Sequence, residues 1–433
     1  VDRFRRRGRR IDEIVIALPS ASGATMREAL ANCRAAGVPC KTIPGMAELL
    51  TGRVPVHRIR DVSVEDLLGR EPVQLSTESI RSSIEGMSVM VTGGGGSIGS
   101  EICRQVAGFR PKALVIFERA ESDLFRIHWE LSHRFPNLPV LPIIGDIREL
   151  DRLEEVIRTF RVNSIFHAAA YKHVPMMESH LIEAVKNNIL GTNNAVQAAA
   201  ANGVSQFLMI SSDKAVNPTN IMGLTKRVAE LIVSSMAAQA GANGTKFVSV
   251  RFGNVLGSNG SVIPLFQQQI AAGGPVTVTH PDVRRYFMTV REAVQLVLQA
   301  STMGEGSEVF VLDMGEPVRI LDLARNMIRL SGHEPDIDIE IRITGMRPGE
   351  KLFEELVLEG EDILPTVHED IRVFRGVKLD SRHIAMWVAR LELLLLQKDE
   401  ARILRHLQQL VSEYQPNGSW KNVLDHECSV AAS

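Results

Sequence analysis

The chain is poor in cysteine. Cys33, Cys40, Cys103 and Cys428 are scattered through 433 residues, with neither metal-ligand spacing nor a disulfide framework. No metal site is expected, and a reducing compartment is. There is no excess charge of either sign: Lys plus Arg is 49 and Asp plus Glu is 51. That balance removes the electrostatic reason to expect nucleic acid as the main partner. No apolar run is long enough to span a bilayer, and no secretory leader is visible. What the chain does have is core material. Hydrophobic residues make up 45% of a length that corresponds to roughly three typical domains. One local departure is Arg3–Arg10, with six arginines in eight positions. Such a run reads as a solvated tail or as a cytoplasmic segment beside a membrane.

Two stretches carry the chemistry. In the first, Val89-Met-Val-Thr-Gly-Gly-Gly-Gly-Ser-Ile-Gly99, an apolar strand runs into glycines and a helix begins near Ile98. Glycines there permit the tight turn and let backbone approach a pyrophosphate at the helix N-terminus. Both G-x-G-x-x-G (Gly94, Gly96, Gly99) and T-G-x-x-G-x-x-G (Thr92, Gly93, Gly96, Gly99) fit. A second strand, Ala113–Phe117, ends at Glu118, close to where a carboxylate meets a ribose hydroxyl. Glu118 favours a free 2′-hydroxyl, whereas Arg119 could pair with a 2′-phosphate, so NAD and NADP both stay open. The other stretch is Ser211-Ser-Asp-Lys214 after the apolar run Phe207–Ile210, followed by Met222-Gly-Leu-Thr-Lys226. In an open parallel sheet, ligands bind beyond the carboxyl ends of strands. Met222 and Lys226 share one face of a helix that Thr219 or Asn220 can cap.

From Ser88 to Ser249 strands and helices alternate, which predicts a doubly wound parallel sheet of the Rossmann type. The predicted strands are Val89–Val91, Ala113–Phe117, Val140–Ile144, Ser164–His167, Phe207–Ile210 and Phe247–Val250. Asp146 follows the third of these and suits either an adenine contact or a helix cap. The small run Ala168, Ala169 and Ala170 leaves room for a cofactor or serves tight packing. Lys172 adds a polar group to the same edge, and Asn188 is either polar surface or a backbone brace. Beyond Arg251 the pattern loosens into a polar loop containing Asn254 and Ser258, then basic loops holding Arg285 and Arg347-Pro-Gly-Glu-Lys351. Arginine binds phosphate bidentately, so Arg285 and Arg347 could clamp a pyrophosphate or lie on the surface. The expected organisation is a partial N-terminal α/β domain and linker over 1–78, the dinucleotide-binding domain over 79–250, mainly a substrate lobe over 251–380, and a helical tail over 381–433. The linker and a short helix are placed between Val54 and Arg70, and Leu393–Leu396 of the tail are expected to pack against a neighbour.

Thr92-Gly-x-x-Gly-x-x-Gly99, Ser212-Asp-Lys214, Met222-x-x-x-Lys226, Arg251-Phe-Gly-Asn-Val and Arg347-Pro-Gly-Glu-Lys351 together resemble the CapD-type nucleotide-sugar 4,6-dehydratases of polysaccharide biosynthesis, which are extended short-chain dehydrogenases/reductases. The resemblance runs from about Ile80 to Glu355. It implies conversion of UDP-N-acetylglucosamine to a 4-keto-6-deoxy sugar with NAD or NADP. The cofactor set it implies is Thr92, Gly93, Gly96, Ser97, Ile98, Gly99, Glu118, Arg119, Asp146, Ile147, Ala168, Ala169, Ala170 and Lys226. Asp213 and Lys214 become the acid and base, with Ser212, Met222 and Lys226 beside them. Lys172, Asn254, Ser258, Arg285, Arg347 and Glu350 become substrate contacts. Met222 stands where the wider superfamily has a tyrosine, as in the long members of the family. Those members carry a membrane anchor, and the arginine run with the incomplete first α/β unit suits a soluble fragment of one. The native protein is then expected on the cytoplasmic face of the membrane, as a homo-oligomer. A nucleotide-sugar 4-epimerase and an inactive dinucleotide-binding scaffold are the competing functions.

Overall fold

The computed structural model describes residues 4, 6–8, 10–18, 23–43, 60–62, 66, 73, 75–240, 244–258, 260–358, 362–375, 379–417, 420–421 and 423. Most of the connector expected at 54–70 lies outside them. Among the described residues, nine strands build one central sheet: β1 (Ser88–Thr92), β2 (Ala113–Glu118), β3 (Val140–Ile144), β4 (Ser164–His167), β5 (Gln206–Ile210), β6 (Lys246–Arg251), β7 (Glu308–Leu312), β8 (Ile363–Pro365) and β9 (Ile371–Arg375). Their order is β8-β9-β7-β6-β5-β4-β1-β2-β3. β1 to β7 run parallel. β9 lies antiparallel to both β7 and β8. Strand order reverses between β1 and β4, which opens a crevice at their carboxyl ends.

Both faces of the sheet are covered. The helices used below are α1 (Ser97–Gly108), α2 (Glu121–Arg134), α3 (Leu150–Phe160), α4 (Gly191–Ala201), α5 (Ile221–Ala240), α6 (Val290–Ser301), α7 (Ser381–Gln397) and α8 (Glu400–Leu410). Val89 and Val91 face one core with Ile102, Leu124 and Val297, whereas Met90 faces the other with Val156, Ala195 and Ala229. That alternation within an all-apolar strand is what a sheet buried on both faces requires. The outer side of α5 buries Leu224, Val228 and Leu231 against Trp387, Leu391 and Leu404 of α7 and α8. Leu394 and Leu395 are buried there, but Leu393 and Leu396 are 53% and 79% exposed, so only half of the expected leucine run packs. Among the described residues no helix is long and apolar enough to cross a membrane.

One feature departs from the sequence expectation. Three strands after residue 250 join the sheet, so 251–380 does not form a separate lobe throughout. The lobe proper is a small core around Phe266, Val276, Phe287 and Leu323. At the N-terminus, strands Ile14–Ile16, Cys40–Thr42 and Arg60–Asp61 make a separate three-stranded sheet.

The turn after β1 is set by contact distances. Gly93 has φ +66° and would place a Cβ 2.7 Å from the Ala169 backbone. A Cβ on Gly99 would lie 2.1 Å from the Gly93 carbonyl oxygen, so α1 rests directly on the turn. At Gly96, by contrast, a Cβ would meet only that same oxygen, at 3.3 Å. The internal packing therefore demands glycine at 93 and 99 but not at 96. Gly99→Ala should destabilise the fold by about 3 kcal/mol or more, as overpacking against backbone does. Gly96→Ala should cost about 1 kcal/mol or less, the scale of an altered helix N-cap. Denaturant unfolding of the two variants measures the contrast.

Beside that turn, His167 is buried between two hydroxyls. Its Nδ1 lies 2.8 Å from Thr92 Oγ1 and its Nε2 3.1 Å from Thr192 Oγ1. Burial, with the nearby Lys226 ammonium adding to it, pushes the imidazole down to about 3. The folded protein thus holds a neutral ring where the unfolded chain takes up a proton near pH 6.5. Stability from this group is complete above pH 6.5 and declines as pH falls toward 3. The loss at pH 5 should be about 2 kcal/mol. His167→Asn should remove that part of the difference between pH 7 and pH 5 in denaturant unfolding, whatever its effect on absolute stability.

Candidate active site

β5 delivers a short polar turn to the mouth of the crevice. The ladder with the next strand continues past Ile210, since Ser211 N–H donates to Val250 and Asp213 N–H to Phe252. A single 3-10 turn, Asp213–Ala215, follows. Ser212 Oγ accepts from Lys214 N–H at 3.2 Å and donates to Asp213 Oδ1 at 2.7 Å. Lys214 Nζ lies 3.0 Å from the same Oδ1, 3.4 Å from Asn254 Oδ1 and 3.5 Å from Glu354 Oε1. Asp213 is fully buried, and its Oδ2 has no hydrogen-bond partner. Burial pulls the Lys214 pKa down, but Asp213 and Glu354 together outweigh it and the net shift is upward. The ammonium is thus the favoured form of Lys214 here.

α5 sits on this turn because residue 223 is glycine. A Cβ there would lie 2.0 Å from the Lys214 carbonyl oxygen. Asn220 caps the helix by accepting from Gly223 N–H at 2.7 Å, while the Thr219 hydroxyl turns instead to the Gly349 carbonyl at 3.3 Å. Met222 is buried on the cavity side. Lys226 donates to the Ile210 carbonyl at 2.7 Å, and burial pushes its ammonium down to about 8, against the pull of Glu230. Asn188 is a backbone brace. It holds both the N–H and the carbonyl of Tyr171, at 2.8 and 3.0 Å, from within a π-helical turn (Val185–Leu190). Such turns frequently mark functional sites.

A cavity of about 640 Å³ runs along this crevice, a size within the usual range for small-molecule sites. The glycine turn contributes Gly93, Gly96, Ser97, Ile98 and Gly99 to its wall. The β4 edge contributes Ala168, Ala170 and Lys172, and the turn after β5 with α5 contributes Ser212, Lys214, Met222 and Lys226. Asn254, Ser258, Arg285, Arg347 and Glu350 also line it. Gly96 is the one glycine of the turn motif that packing leaves open toward this space, and no side chain caps α1. A pyrophosphate needs that close backbone approach, so the wall fits a dinucleotide.

Other candidates are placed differently. Thr92 is spent on His167, Ala169 packs beneath Gly93, and Ile147 packs against Gly191. The Glu118 carboxylate accepts three backbone N–H groups, from Gly95, Arg119 and Ala120, at 3.1, 2.8 and 3.0 Å. It braces the glycine turn. Arg119 donates to the Tyr171 hydroxyl at 2.8 Å. Asp146 is chelated by Arg148, whose Nη2 lies 2.7 Å away; burial raises the carboxyl's pKa, but Arg148 outweighs that and lowers it. Nor does Asp146 cap α3, which starts after Glu149. Arg285 is also committed. Its guanidinium serves the carbonyls of Arg284, Lys351 and Leu352 at 2.7, 2.8 and 3.3 Å, and the carboxylates of Glu350 and Glu354 at 3.2 and 3.6 Å. A phosphate clamp built on Arg285 is therefore not what this arrangement shows. Arg347 is less committed: its Nη2 lies 3.5 Å from Glu350 Oε1, and its side chain is 56% exposed.

Two functional groupings escaped the sequence reading. One is Glu354, three residues beyond Lys351, whose contact with Lys214 spans 140 positions and leaves no local signal. The other is the buried set of Glu230, Arg251 and Ser211. Glu230 accepts from Ser211 Oγ at 2.6 Å and from Arg251 Nε and Nη2 at 2.8 Å each. Burial would raise the Glu230 carboxyl, but Arg251, Arg227 and Ser211 bring it down to about 2.

Comparison with known proteins agrees with this architecture. CapD, a capsular polysaccharide biosynthesis protein of Staphylococcus aureus, is 49% identical over 368 residues, which cover 85% of this chain and 61% of CapD. The chain thus spans about three fifths of that relative. The crystal structure of Pen from Bacillus thuringiensis superposes with a TM-score of 0.62 at 35% identity, covering 69% of this chain and 90% of Pen. An inverting UDP-N-acetylglucosamine 4,6-dehydratase of Campylobacter jejuni is 33% identical over 63% of this chain and 78% of its own. A UDP-glucose 4-epimerase of Rickettsia rickettsii is 34% identical over 69% and 84%. Residues 89–375 match the polysaccharide biosynthesis protein family, and the chain belongs to it.

Proposed function

We propose that this chain is a nucleotide-sugar 4,6-dehydratase that acts on UDP-N-acetylglucosamine. The observation that carries the reading is the Ser212–Asp213–Lys214 turn, which shares one cavity with a glycine turn that fits a dinucleotide. The identity to the Campylobacter dehydratase supports the substrate class, and the epimerase relative supports a second reading with the same cofactor. NAD or NADP, held by Gly93, Gly96, Ser97, Ile98, Gly99 and Lys226, would supply a reversible hydride acceptor.

The protein's own part is proton movement. Met222 cannot accept a proton, so the sugar C4 hydroxyl needs another base. Ser212 Oγ can take that proton while passing its own to Asp213 Oδ1, 2.7 Å away. Ser212 alone would be a poor base; Asp213 gives its proton a destination. Once Asp213 is neutral, Lys214 loses the nearer of its two carboxylates. Burial, the largest influence on it, then favours the free amine that can take the C5 proton. Asp213 returns its proton through Ser212 to the departing C6 hydroxyl. Positioned proton transfer of this kind is worth roughly 10²–10⁴-fold per group.

Incubation with UDP-N-acetylglucosamine should give a product lighter by one water in the mass spectrum. An epimerase would leave the mass unchanged. In deuterated water the product should gain deuterium at C5. Asp213→Asn should suppress both nicotinamide reduction and water loss, whereas Met222→Ala should keep substantial activity. Normal nicotinamide reduction by Asp213→Asn on adding substrate would refute the Ser212–Asp213 proton route.

A further inference from the structure

We propose that Glu354 is the group that accepts the proton Lys214 must shed before it can act as the C5 base. This rests on the dehydratase reading and adds a positioning residue to it. Among the described residues, three oxygens lie within 3.5 Å of Lys214 Nζ: those of Asp213, Asn254 and Glu354. Asp213 is occupied at that stage by the proton from the C4 hydroxyl. The Asn254 amide oxygen is far too weakly basic to hold a proton at neutral pH. Glu354 is a carboxylate, and its side chain is only 4% exposed. The oxygen facing the amine, Oε1, receives the proton, and Oε2 is buried without a hydrogen-bond partner among the described residues, so no donor competes for the carboxylate there.

The charges around it are specified. Glu354 Oε1 faces Lys214 Nζ at 3.5 Å and Arg285 Nε at 3.6 Å, and Arg285 is shared with Glu350 at 3.2 Å. The segment carrying Glu354 is pinned by Lys351, which donates to the Val216 carbonyl at 3.0 Å, just beyond the catalytic turn. The carboxylate is thereby held at fixed reach of the amine.

The proton balance closes. An N–H bond of Lys214 breaks and an O–H bond forms on Glu354. The free amine takes the C5 proton and later returns a proton to C5. Glu354 then gives its proton back to the amine. No charge or proton is gained over the cycle. Exchange between the ammonium, Glu354 and solvent also accounts for label entering C5 in deuterated water.

A plain counter-charge role for Glu354 predicts the opposite behaviour. Removing a negative charge next to Lys214 would then ease its deprotonation and leave dehydration intact or faster. The test uses the whole chain with its cofactor and UDP-N-acetylglucosamine. Glu354→Gln should keep substrate-driven nicotinamide reduction near the wild-type rate, because the first proton goes to Asp213. Water loss should fall by about 100-fold or more, the scale of a lost positioned proton transfer. Added formate should restore part of the water loss in Glu354→Ala, by supplying the missing carboxylate. Dehydration by Glu354→Gln within about threefold of wild type would overturn the proposal, given the range expected for such a group. So would loss of both steps in Glu354→Gln with no formate rescue of Glu354→Ala, since that marks a structural role. Failure of the wild-type chain to release water would overturn the dehydratase reading itself, and this inference with it.

Discussion

The Glu230 carboxylate holds the site together. Through Ser211 it fixes the end of β5, and through Arg251 the end of β6. Arg227, on the same helix, extends the network by donating to Glu413 beyond α8 at 2.9 Å. Arg251 and Glu230 are essentially inaccessible to water, with side chains 0% and 1% exposed. An ion pair so deeply buried contributes little net stability compared with an apolar substitute, but losing one partner costs about 3–5 kcal/mol. Its significance lies in placement. The residue after Ser211 begins the turn that carries Lys214, and Lys226 lies one helical turn before Glu230. One carboxylate therefore sets the relative position of two buried lysines.

Those lysines show how neighbours decide chemistry. Both are buried, and burial disfavours a charged amine in both. Lys226 has a backbone carbonyl as its hydrogen-bond partner and drops to about 8. Lys214 has two carboxylates within 3.5 Å and rises instead. A side chain held charged only by its partners can be switched by protonating one of them. That is the physical basis for giving Asp213 and Lys214 successive rather than simultaneous roles.

Much of this architecture was legible from local pattern. Apolar runs placed β1, β2 and β4 to β6, because a strand buried on both faces has little else to be made of, and β3, the half-exposed edge strand, kept an apolar run as well. The glycine turn was legible as a local motif, but only Gly99 is forced by a local contact, with Gly93; Gly93 itself is forced by the Ala169 backbone just beyond β4. The three later strands were not. β7 pairs with β6 across more than fifty residues of lobe, and short runs such as Ile371–Arg375 read equally well as loop or strand.

The fold class, the two chemical motifs and their order along the chain follow from the sequence, since each depends on residues close together in it. Which charges meet does not. Arg285, Arg347, Glu118 and Asp146 look equally available in a string of letters. Folding commits Arg285 to two glutamates and three carbonyls, Glu118 to three amides and Asp146 to Arg148, and leaves the Arg347 side chain half-exposed, in contact with Glu350 at 3.5 Å. Glu354 acquires its place beside Lys214 only when the lobe returns to the sheet. Coulomb interactions depend on distances in space, and separation along the chain carries almost no information about those.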